Sequence, residues 1–313
     1  MVSLKPKVVR YVHWVAHVSG ASTLLAHARP VMRILMYHAV GGASYPAGVF
    51  RAQMEWLGRR FSVVPLDAVV RSALENSAAP SCEVALTFDD GLRNHATVVY
   101  PLLRQLGLPA TFFVCPSLIE NGRWLWNHEM RQRLLRLDAE ACCALGRRLG
   151  AREGGVESIV EWMKSLPAES RQRAESEVRA ATPGFAPTPE EHELFDIMSW
   201  DQLLALDPSL VTVGSHTASH PILPTLDGAQ LEIEVAGSRR WMEKRLGRPV
   251  RTFCYPNGAH DPTVRECVRA SYEAAVTTSY GFVRGGDAPH ALCRIPSDRS
   301  LTRFTWRMHR PTA

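Results

Sequence analysis

No run of residues in this 313-residue chain is apolar for the length that a bilayer-spanning helix needs, so no helical membrane span is read from it. Internal repeats and low-complexity tracts are missing too, which excludes solenoid and fibrous architectures. Cysteine occurs an odd number of times, seven, with no Cys-x-x-Cys pair. A fully paired disulfide framework is therefore excluded, and buried free thiols in a reducing compartment are the simplest reading. Acidic residues are absent from positions 1–33, which carry Lys5, Lys7, Arg10, Arg29 and Arg33. Removing those five from the 36 Lys and Arg leaves 31, equal to the 31 Asp and Glu, so the rest of the chain has no net charge. A neutral body gives little support to a nucleic-acid partner.

The basic arm also holds Val8, Tyr11, Val12, Trp14, Leu24 and Leu25. A stretch that is basic, aromatic and apolar suits peripheral contact with an anionic membrane, here through residues 1–30. The alternative is an ordinary amphipathic helix packed on the body. Ala26-His27-Ala28 has the form of a signal-peptide cleavage site, but His13, His17, Ser19 and Gly20 interrupt the apolar region that a signal needs. The expected location is the cytoplasm, at the inner membrane face, with export as the alternative.

The content of 46% hydrophobic and 21% charged residues is that of a soluble globular protein with ample core. Strand-like runs at 33–37, 62–64, 84–88, 111–115, 210–214, 250–254 and 274–278 alternate with helical patterns, as parallel βα units do. One such pattern spans 91–107. Residues 120–198 interrupt the alternation. Glu129 to Leu149 reads as one helix there, with shorter ones at 156–165 and 168–181. This segment is read as a helical insertion that either caps the functional face or lies away from it. The domain reading is an arm at 1–30 and one domain at 31–313.

Two segments carry the chemistry. Thr87-Phe88-Asp89-Asp90-Gly91 follows the buried-strand pattern Val84-Ala85-Leu86 and sets two carboxylates at a strand's C-terminal end, where α/β barrels place their sites. His216-Thr217-Ala218-Ser219-His220 follows another strand-like run, and a helical turn there would put the two histidines on one face. Two imidazoles and one carboxylate can hold a divalent metal and leave positions open, while the second carboxylate stays free to act as a base.

At these residues the chain resembles the polysaccharide deacetylases, carbohydrate esterase family four. Ile34-Leu35-Met36-Tyr37-His38 is similar to the family's opening strand, Ser199-Trp200-Asp201-Gln202-Leu203 to the helix before its histidine strand, and Arg251-Thr252-Phe253-Cys254-Tyr255-Pro256-Asn257-Gly258 to its third motif. The resemblance implies an irregular (β/α) barrel with fewer than eight complete units. It implies a divalent metal, zinc first with cobalt, nickel, manganese or iron as alternatives, held by Asp90, His216 and His220. It further implies Asp89 as base, Arg251 as the residue that holds it, and the backbone N–H of Tyr255 as oxyanion donor. The family's late leucine-x-histidine is missing from His290-Ala291-Leu292-Cys293-Arg294-Ile295-Pro296. His38, just past the first strand, is the candidate acid in its place.

The implied activity is removal of N-acetyl groups from amino sugars of a polysaccharide, oligosaccharide or lipid-linked glycan, so the expected partner is an N-acetylated glycan. A catalytically weak glycan-binding protein of the same fold is the first alternative. A two-histidine, one-carboxylate iron oxygenase is the second, disfavoured because Asp90 precedes a tight His-x-x-x-His.

Overall fold

A computed structural model describes residues 6–75, 82–152 and 154–310. The first five residues of the basic arm, with Lys5, lie outside the described residues. In chain order the elements begin with α1 (Pro6–Val18), α2 (Ala21–His27), β1 (Arg33–Tyr37), α3 (Ala47–Arg60), β2 (Ser62–Val63), α4 (Leu66–Leu74), β3 (Glu83–Phe88), α5 (Tyr100–Leu106) and β4 (Ala110–Val114). Six helices follow: α6 (Pro116–Asn121), α7 (Trp126–Leu134), α8 (Ala139–Leu149), α9 (Val156–Lys164), α10 (Ala168–Ala181) and α11 (Pro189–Phe195). The chain then continues as α12 (Trp200–Leu204), β5 (Val211–Ser215), α13 (Gly228–Glu232), α14 (Ser238–Leu246), β6 (Thr252–Cys254), α15 (Pro262–Ser271), β7 (Ala274–Tyr280), β8 (Leu292–Pro296) and α16 (Leu301–Arg307).

The strands are short, continuous apolar runs because helices cover one face and the barrel interior covers the other. They pair in the order β1-β8-β7-β6-β5-β4-β3, and β3 returns to β1, so seven parallel strands close an irregular barrel. β2 is a two-residue stub on the start of β3. The register runs from Arg33↔Val84 to Tyr37↔Phe88. Strand side chains alternate between faces, so Ile34 and Ala85 share the inner face with Phe113, Cys254 and Leu292, against which Val69 and Val70 of α4 pack. Carrying the same register one step beyond the strands sets His38 beside Asp89.

One expectation is corrected here. The stretch Glu129 to Leu149 is two helices, because the Asp138 side chain accepts a bond from Ala141 N at 2.8 Å and caps a new helix start. The 91–107 pattern forms a helix from Arg93 that contains a π-type stretch at His95–Val99 and ends at Gly107 in the left-handed conformation. The capping box at Ser199 and Gln202, and the Asp261 cap before Pro262, form as their sequences suggest.

The helical segment between β4 and β5 packs on the barrel end that carries Asp89 and Asp90. Leu92 bridges Ile197, Met198 N donates to Gly91 O at 3.0 Å, and Trp126 Nε1 donates to His220 O at 3.3 Å.

Candidate active site

β3 delivers Asp89 and Asp90 to the barrel mouth, and the chain then reverses at once. Asp90 adopts φ +77° and Gly91 φ +66°. The left-handed region is tolerated by Asp and free for Gly. At Gly91 a side chain would also press on Val114, 3.1 Å from where its Cβ would lie. The two carboxylates diverge as a result. Asp89 turns toward the barrel axis and Asp90 toward the loop after β5.

That loop is not helical, contrary to the expectation for His216 to His220. Thr217 (φ +67°) and His220 (φ +61°) are both left-handed, so three of the four described non-glycine residues with positive φ lie at this site. Such strain persists only where surroundings over-determine it. The loop is tied down on every side. His216 N donates to Val114 O at 2.9 Å, Ser219 N to the Glu234 carboxylate at 2.9 Å, and His220 N to Thr217 Oγ1 at 2.8 Å. Trp126, whose indole holds His220 O, lies beneath the Arg171 guanidinium at 5.0 Å.

The outcome is a buried set of three donors. His216 Nε2 and His220 Nε2 lie 3.5 and 3.6 Å from Asp90 Oδ1. Ligand atoms of the three residues all fall within 4.8 Å of one another. His216 Nδ1 is bonded to Cys254 O at 2.7 Å, so its other nitrogen faces the shared space. Burial first, then His216 nearby, push His220 down to about 3, so it is a neutral imidazole able to ligate. Burial opposes ionisation of Asp90, but the bond to His216 holds its carboxyl well below the usual range. The donor set fits a divalent cation. A second trio, Asp89, His216 and Cys254, is equally close but fits less well. Asp89 is already paired, and burial raises the Cys254 thiol, which keeps it protonated.

Asp89 is held by Arg294. The guanidinium makes two parallel bonds of 2.7 Å to the Asp89 carboxylate, and also bonds Thr87 Oγ1 at 3.0 Å and Thr277 O at 2.7 Å. Burial opposes the charge on Asp89, but Arg294 outweighs it and holds the carboxyl at about 2. This overturns the expected role of Arg251. That residue precedes β6, at the far end of a strand that runs toward the site, and its side chain pairs with Glu273. The expected Tyr255 donor is also corrected. β6–β7 pairing continues past Cys254↔Val276, so Tyr255 N already donates to Val276 O at 3.3 Å, and its ring is fully buried.

His38 stands where its position in the sequence suggested. Its Nε2 is 3.8 Å from Asp89 Oδ2 and its side chain is 51% exposed, against 2% for Asp89, so it borders the open side of the site. His95 fixes that turn by bonding His38 O at 3.1 Å. His128 of α7 faces the same charges, and burial pushes it down to about 4. Sequence reasoning missed Arg294, Trp126 as a partner of the His220 loop, and His128. The readable signal for Arg294 was a lone arginine inside an apolar strand pattern.

The fold is that of known deacetylases. A Streptococcus pyogenes deacetylase, PplD, solved with acetate, superposes with a TM-score of 0.60 at 18% identity, covering 90% of this chain and 100% of its own. IcaB from Ammonifex degensii gives 0.60 at 18% identity, with 89% and 98% covered. The Bacillus subtilis protein YxkH, provisionally named a polysaccharide deacetylase, is 29% identical over 268 residues, which is 84% of this chain and 70% of that protein. The sequence pattern of the polysaccharide deacetylases matches residues 76–274, more than half of the chain. This chain belongs to the polysaccharide deacetylase family.

Proposed function

We propose that the protein is a divalent-metal-dependent N-deacetylase acting on N-acetylated amino sugars of a glycan. The observation that carries this is the meeting of Asp90, His216 and His220 on one buried space, with Asp89 beside it in a separate ion pair. Asp90, His216 and His220 would hold the cation, zinc being the first choice for two imidazoles and a carboxylate. When bound, such a cation polarises an amide carbonyl and makes water acidic.

The chain's own groups supply the rest. Asp89 is ionised at any physiological pH and is assigned as the base that takes a proton from water. Arg294 fixes its two oxygens in one orientation, so the base does not turn away or ligate the metal. His38 is assigned as the acid that protonates the leaving amine, because its ring reaches Asp89 and borders solvent. Phe88 and Phe112 pack against His95, which holds the His38 turn in place.

The test is acetate release from a panel of N-acetylated polysaccharides, oligosaccharides and lipid-linked sugars, using chelator-stripped protein with and without added zinc. Release that requires metal is expected. No release from any substrate with metal bound would favour a glycan-binding protein over an enzyme.

A further inference from the structure

The arm α1–α2 is folded inside out. α1 rests on the body through His13, Ala16 and His17, with the half-buried Val9 beside them. His17 Nδ1 lies 3.2 Å from Thr305 Oγ1, and His13 packs on Trp306 with ring centroids 4.7 Å apart. In α2 the buried side chains are Ser22, Thr23 and Ala26. Arg33, fully buried, clamps the end of α2 to the barrel by donating to Ala26 O at 2.6 Å and Met308 O at 2.7 Å. The apolar residues point the other way. Leu24 is 71% exposed, Tyr11 64% and Trp14 52%, and Val8, Val18 and Leu25 are exposed beside them. Eight of the thirteen large exposed hydrophobics among the described residues lie between positions 8 and 25, so the exposure is one patch. A surface helix normally buries its apolar stripe and solvates its histidines and hydroxyls. Here the body has taken the histidines, hydroxyls and alanines and left the large apolar side chains of the arm outward.

We infer that this outward face of α1 and α2 docks on an anionic phospholipid surface. Three observations select lipid. First, the exposed basic residues Lys7, Arg10 and Arg29 flank the patch, and residues 1–33 contain no acid. Second, Tyr11 and Trp14 stack on each other at 6.0 Å on that face, and amphipathic rings favour the headgroup level. Third, a second copy fits poorly, because a two-fold contact would bring each basic arm against itself. No described helix is long and apolar enough to cross a membrane, so the contact is peripheral. The arm borders a cleft of about 650 Å³ shared by Arg10, Tyr11 and Trp14 with Asp298, Arg299 and Arg303. That segment follows the C-terminal end of β8, the barrel end that also carries the acidic pair. α2 is held at the opposite end, beside the start of β1, so the patch runs along the side of the barrel and only its α1 end adjoins the reaction face.

Vesicle flotation of the full-length protein tests this. Pure phosphatidylcholine is compared with mixtures containing phosphatidylglycerol, at roughly 0.1 M and 1 M salt. The wild type is expected to float with the anionic vesicles, and less at high salt. Trp14→Ser/Leu24→Ser/Leu25→Ser is expected to lower partitioning at least about tenfold. Its circular dichroism and its activity on a soluble substrate should stay unchanged. Lys7→Glu/Arg10→Glu should remove the salt-sensitive part. Absence of wild-type binding to anionic vesicles, or equal binding by the triple variant, overturns the inference. So does a wild-type dimer in solution that the triple variant abolishes, since a second copy would then cover the face.

Discussion

Replacing Arg294 with Met tests the electrostatics of the site directly. In the wild type, Asp89 sits at about 2 instead of its ordinary 3.8, because Arg294 overcomes the penalty of burial. For a carboxylate that is 2% exposed, this difference corresponds to about 2 kcal/mol of stability. The pKa is depressed, so the contribution is complete above pH 3.8 and is lost as pH falls through about 2. Met is of similar reach but carries no charge. Burial, the largest influence, would then be opposed only by the nearby His38 and His216, so the Asp89 carboxyl rises; once it passes 3.8 the sign reverses, and stability falls as pH rises through the new value. The variant should lose about 3–5 kcal/mol at pH 7, the usual cost of an orphaned buried charge, and much less near pH 3. Urea unfolding at both pH values measures the gap. Acetate release against pH should show the acid limb moved upward, since the base now ionises later. A loss below about 1 kcal/mol at pH 7, an equal loss at both pH values, or an unmoved acid limb would refute the pairing of Arg294 with Asp89 as the device that keeps the base charged.

Arg251→Ala removes an exposed pair and should change stability by less than about 1 kcal/mol with kcat retained, as urea unfolding and acetate release would show. Asp89→Asn should abolish turnover while zinc content, measured by atomic absorption, stays at the wild-type level; loss of the metal would mean that the two aspartates have exchanged roles. His38→Ala should lower kcat about a hundredfold or more without changing metal content, and near wild-type kcat would leave the amine's proton to another group, with His128 the first to test. Trp126→Phe keeps the ring under Arg171 but removes the donor to His220 O, and should weaken zinc binding about tenfold in equilibrium dialysis, while an unchanged affinity would show the loop to be self-supporting.

Residues whose meaning is local could be read from the chain alone. Asp89-Asp90-Gly91 after a buried run, the Ser199 capping box and the Asp261 cap each depend on neighbours within a few positions. Their geometry follows from strand ends, turn chemistry and helix termini. His38 was legible for the same reason, since one residue past a strand has only one end of the barrel to occupy. Tertiary closure decided the rest. Arg294 meets Asp89, 205 positions earlier, only because β8 pairs with β1 and completes the barrel, and no spacing rule links them. The family resemblance pointed to Arg251 for this role, but a three-residue strand separates it from the site. Trp126 reaches His220 across 94 positions because the inserted helices fold back over the mouth. The composition of the arm announced an amphipathic helix. Only packing against α16 determined that its histidines and hydroxyls face inward and its leucines face out, because which side of a helix is buried depends on the surface it meets.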